Sequence, residues 1–98
     1  MGRTPAVAAD PYRIAHVLQY LQREWSQVPD YVRQWPSWDE DKKLDFVLEW
    51  DIREDSLAML RAWAANGDLS PSEAACHREI EELVTTNRPL IQPLLDED

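Results

Sequence analysis

Three side chains in the sequence have the spacing of a metal or acid–base site. Glu73, His77 and Glu81 recur every fourth position, and a helix turning about 100° per residue carries such positions along one side. Two carboxylates and an imidazole are ligands for a divalent cation, and His16, from an earlier segment, could complete the set. As a metal signature the pattern is weak. Neither an H-E-x-x-H nor an E-x-x-H pair is present, and glutamate-rich helices generate this spacing by themselves. Glu73 also occupies the fourth place of Ser70-Pro71-Ser72-Glu73, where a capping box employs it. The expectation is a solvated helix edge with His77 at its boundary, and no cofactor.

Other reactive groups are scarce or too plentiful. A nucleophile needs a base beside it, and His16 and His77 are the only imidazoles. Cys76 precedes His77 directly, so on a helix the two diverge by about 100°. Cys76 also falls on an apolar stripe, where a thiol is ordinarily buried and inert. Carboxylates crowd at Asp39, Glu40, Asp41 and Asp45, and again at Asp51, Glu54 and Asp55. A general acid needs a dry pocket, whereas consecutive charges indicate solvent. With Gly2 and Gly67 the only glycines, there is no glycine-rich loop to cradle a phosphate. These features predict a protein that is not an enzyme.

The stretch YVRQWPSWDEDKK, residues 31–43, points elsewhere. Trp35 and Trp38 flank Pro36, and Asp39, Glu40 and Asp41 follow. An aromatic pair beside acids is the composition of an interface hot spot, with charge to guide a basic partner. The same residues have local uses. Ser37-Trp38-Asp39-Glu40 matches the S-x-x-E capping box, and acids in a first turn complement the helix dipole. The two indoles would then fold over the corner at Pro36, with at least one edge left exposed.

These residues must be positioned by helices. Residues 1–9 show no periodicity and read as a flexible N-terminal arm, residues 10–95 as one helical domain, and residues 96–98 as an acidic tail. Asp10-Pro11 is a start signal, and Ile14, Leu18, Leu21, Trp25 and Val28 recur at steps of four and three to form one apolar face. Pro29 is expected to end that helix, and Pro36 to bias Trp35 away from helical angles. From Trp38 to Ala65 two apolar stripes appear, Leu44 with Leu48 and then Leu57, Leu60 and Ala64. They are about 120° apart, which predicts a break or kink near Trp50–Asp55. Asn66-Gly67 supplies a left-handed stop and Ser70–Glu73 a restart, so the segment from Asp55 to Asn87 is a helical hairpin. Its second arm places Cys76, Ile80, Leu83, Val84 and Asn87 on one side, and Asn87-Arg88-Pro89 is expected to interrupt it. The fold class is all-α, a small single-domain bundle of four or five short helices ending in a hairpin.

Charge narrows the partners. The 98 residues carry a net charge of −9. Residues 1–36 hold four arginines against three acids, a net of +1, and residues 37–98 hold six bases against sixteen acids, a net of −10. Such a field repels nucleic acid and attracts a basic protein. One cysteine excludes an intramolecular disulfide and a Cys-based zinc cage. No apolar run is long enough to span a bilayer, the opening MGRTPAVAAD lacks the apolar core of a secretion signal, and Ala6 stands where a myristoylation motif wants Ser or Thr. A cytoplasmic protein is expected. The functional expectation is an acidic protein–protein interaction module, an adaptor or regulatory subunit acting through Trp35, Trp38, Asp39, Glu40 and Asp41, with self-association as a homodimer compatible with the same features. The alternatives are an acidic inhibitor of a basic nuclease, such as an immunity protein or antitoxin, and a metal-dependent enzyme or sensor built on Glu73, His77 and Glu81.

Overall fold

A computed structural model describes residues 9–97. Within them the chain forms four α-helices and no strand: α1 (Pro11–Ser26), α2 (Val28–Gln34), α3 (Glu40–Ala65) and α4 (Pro71–Leu95), with a 3-10 turn at Trp35–Ser37 between α2 and α3. The expected N-terminal arm lies outside the described residues except for Ala9, which is half-buried against the core. Asp98 of the expected acidic tail also lies outside them.

Local chemistry sets most of the boundaries. Asp10 caps α1 by accepting from the Arg13 amide at 2.9 Å, with Pro11 in the first turn. Gln27 closes α1, and Pro29 does not simply end it but opens α2, where its missing N–H costs nothing. The hairpin forms as the sequence predicts. Gly67 adopts φ +76°, the Asp68 amide reaches back to the Trp63 carbonyl at 3.0 Å, and Ser70 and Glu73 exchange the two bonds of a capping box.

Four expectations are corrected. α3 begins later than the predicted box, because Asp39 is the cap and accepts from the Lys42 amide at 2.8 Å. Ser37 is used by the 3-10 turn, where its hydroxyl donates to the Gln34 carbonyl. Trp35 takes helical angles, φ −48° and ψ −46°, despite the following Pro36. Burial of its indole and a hydrogen bond to Glu97 outweigh the local bias. α3 has no break at Trp50–Asp55. Leu44 and Leu48 are not its inward stripe. Phe46, Trp50, Leu57 and Leu60 are, and they lie within about 80° of one another on a continuous helix. Finally, α4 runs through both Pro89 and Pro93. The two prolines are exposed, and the helix is held on either side of Pro89 by buried Asn87 and Ile91.

The core is shared by all the elements. Leu21, Trp25, Val28, Leu60, Ile80 and Ile91 are completely enclosed. Trp25 and Trp50 meet edge to face at 5.3 Å. The Asn87 side chain donates to the Trp25 carbonyl at 2.8 Å, which satisfies one of the free carbonyls at the end of α1 and ties α4 to it. Glu24, buried in α1, accepts from Tyr31 of α2 at 2.9 Å and from both Nε and Nη2 of Arg53 of α3, at 3.0 and 2.7 Å. Arg88 forks onto Glu54 at 2.8 and 3.1 Å and Arg61 onto Glu81 at 2.8 and 2.7 Å, fastening α4 to α3.

α3 has 26 residues, about 39 Å of helix, against a longest molecular dimension of 46 Å. A rod of that length in so small a bundle has neighbours on one side only. Its other side faces outward along much of its length.

Candidate protein-interaction site

The tryptophan pair belongs mainly to the protein itself. Trp35 is 6% exposed, packs on Trp38 and Phe46 at 5.6 and 5.8 Å, and donates its indole N–H to Glu97 at 3.1 Å. Trp38 is half-buried, 5.4 Å from Phe46, with the Lys42 ammonium 4.5 Å above its ring. Together with Tyr31, the two indoles and Phe46 close the junction of α2 and α3. The corner at Pro36 turns the indole of Trp35, one of the expected contact residues, inward. Asp39 is engaged as a cap, leaving Glu40 and Asp41 exposed in the first turn of α3.

The weak metal candidates do not converge either. Glu73 is bonded to the Ser70 amide at 2.8 Å. Glu81 meets His77 at 2.8 Å, but both its oxygens are engaged by Arg61. The Arg61 hydrogen bonds outweigh burial, and with His77 they hold the Glu81 carboxyl down at about 2. Among the described residues no three His, Cys, Asp or Glu side chains are grouped to hold a metal ion. The Cys76 thiol is pushed up by burial and by the Glu79 charge, which disfavours the thiolate.

What the helix does present is a row of aliphatic side chains. Leu44, Leu48 and Ile52 are 56, 63 and 57% exposed. They stand four residues apart on the side of α3 opposite Phe46 and Trp50, so they form one ridge about 12 Å long. Beside Leu44 a small recess of about 130 Å³ is lined by Trp35, Glu40, Lys43, Val47 and Glu97. The signal was present in the sequence. One helix carries two apolar stripes on opposite sides, only one of them can be buried, and the stripe with Phe and Trp has more surface to remove from water.

The charges around the ridge are sorted by sign. At about 100° per residue, Asp41, Asp45, Asp51 and Asp55 all fall within about 60° of the direction of Leu48. All four are exposed, and none makes an ion pair among the described residues. The cations of the same stretch point away. Lys42 and Lys43 lie over the Trp38 and Trp35 rings, at 4.5 and 5.4 Å, and Arg53 is turned in to Glu24. The outward face of α3 is an aliphatic ridge ringed by carboxylates.

No family model, curated protein or solved structure matches the chain. Among the described residues no helix is long and apolar enough to cross a membrane.

Proposed function

We propose that the protein is a small non-enzymatic interaction module, an adaptor or regulatory subunit, that docks a protein partner on the outward face of α3. The observation that carries this reading is the ridge of Leu44, Leu48 and Ile52, each more than half exposed on one continuous helix. Isolated surface leucines need no explanation, and a contiguous row of three supports reading this face as a contact surface. Covering the ridge removes about 1–2 kcal/mol worth of apolar surface per side chain from water. The total falls short of the roughly 8 kcal/mol of a micromolar complex, so the flanking carboxylates must contribute to affinity or to encounter rate. The same carboxylates favour a second reading, an acidic inhibitor of a basic nuclease, which predicts binding that weakens steeply with salt.

The experiment is capture of partners from a cell extract at low salt, with wild type compared to a variant carrying Leu44→Ser, Leu48→Ser and Ile52→Ser. The variant should unfold at the wild-type temperature or slightly above it and lose the captured protein. Undiminished capture by the folded variant would refute the α3 surface.

A further inference from the structure

Taking the outward face of α3 as the docking surface, we infer that its occupant is a basic amphipathic helix of the partner protein. This inference rests on the interaction-module reading and adds the chemistry of what is bound.

Shape is the first ground. Leu44, Leu48 and Ile52 form an i, i+4, i+8 ridge, the kind that seats between the side-chain ridges of another helix. The ridge is about 12 Å long, which two turns of a partner helix cover. A helix such as α3 has no free backbone edge, so an extended peptide could not be held there by main-chain hydrogen bonds.

Charge is the second ground. Asp45 flanks the ridge on one side and Asp51 on the other, while Asp41 and Asp55 stand at its two ends. Among the described residues the cations of this stretch, Lys42, Lys43 and Arg53, are turned to other contacts, so carboxylates dominate the sector. A second copy of the chain would bring one carboxylate ring against another, and like charges across an interface are repulsive. An anionic membrane or nucleic acid is disfavoured for the same reason. A helix with an apolar stripe bordered by lysines or arginines answers both features at once.

The probe is a synthetic leucine–lysine peptide of about 18 residues, five helical turns, with its leucines on one face. A peptide of the same composition, ordered so that no apolar face forms, separates seating on the ridge from charge attraction alone. Binding is read by fluorescence anisotropy. The amphipathic peptide should bind at least about tenfold more tightly than the reordered one, and about tenfold more weakly at 500 mM than at 50 mM salt. Leu48→Ser and the pair Asp45→Lys with Asp51→Lys should each weaken it severalfold, with circular dichroism and melting temperature showing the fold intact. Leu90→Ser, at an exposed leucine of α4, should bind like wild type. Equal binding of the two peptides, or affinity unchanged by the α3 variants, overturns the proposal. Sedimentation of the protein alone separates this failure from that of the broader reading. A dimer that Leu48→Ser converts to monomer would mean that a second copy covers the ridge, which refutes the basic helix and keeps the interaction surface. Peptide failure together with undiminished partner capture by the serine variant would refute both.

Discussion

Arg53 and Glu24 meet at 2.7 Å between α3 and α1, with only 12 and 11% of their side chains exposed. Burial alone would raise the Glu24 carboxyl. The Tyr31 hydroxyl and the Arg53 guanidinium outweigh it, and the group is held below the ordinary carboxylate range. The guanidinium also lies over Phe46 and Trp50, at 5.3 and 5.1 Å. Removing one partner strands the other charge inside, so Glu24→Leu should cost about 3–5 kcal/mol. The double replacement Glu24→Leu with Arg53→Met should recover most of that loss. Urea titrations of the three variants would test the pairing, and a double variant as unstable as the single one would contradict it.

Trp35 is a core residue, and its truncation should be felt as such. Trp35→Ala is expected to destabilise by about 3–5 kcal/mol, a large part of what so small a domain has in total. Trp38→Ala, at a half-buried site, should cost clearly less. Tryptophan-to-alanine melts compared by circular dichroism give the order, and an undisturbed Trp35→Ala variant would return that indole to the list of contact candidates.

Glu24, Glu54 and Glu81 all have carboxyls lowered by hydrogen-bonded partners. The fold therefore favours their charged forms. The stability they contribute is full above the ordinary value of 4.5 and is lost as pH falls through their lowered values, which for Glu81 is about 2. Because the Arg61–Glu81 pair is partly exposed, Arg61→Gln should cost no more than about 1 kcal/mol at neutral pH. That difference should shrink between pH 4.5 and pH 2. A gap that stays constant across this window would show that the pair is not its source.

Pro89 denies α4 one main-chain hydrogen bond, to the Thr85 carbonyl, at an exposed position. Pro89→Ala restores the donor and should stabilise the domain by about 1–3 kcal/mol. A rise in melting temperature is the expected readout. No rise would mean that the helix is already adjusted to the ring.

The elements that were legible in the sequence are those whose causes lie within a few residues. The start of α1 at Asp10-Pro11, its face from Ile14 to Trp25, and the hairpin from Gly67 to Glu73 formed as read, while Val28 fell to α2. The candidate site was legible only in its composition. The aromatic pair and the acids at residues 35–41 stand out by composition, while Leu44 and Leu48 read only as one of two apolar stripes. Spacing identifies a stripe without saying which of two stripes has a neighbour.

The sequence by itself determined an all-α chain, its caps and turns, its acidic balance and the presence of two apolar stripes on α3, because each depends on i to i+4 spacing or on composition. Only the tertiary structure decided which stripe is buried, how Pro89 is carried inside a helix, and that Glu24 pairs with Arg53 and Trp35 with Glu97. Those outcomes join residues far apart in the chain, and no local pattern records which distant surface a helix will meet. Packing withdrew Trp35 from solvent and left Leu44, Leu48 and Ile52 on the surface, since burying indole and phenyl rings removes more apolar area from water than burying leucines.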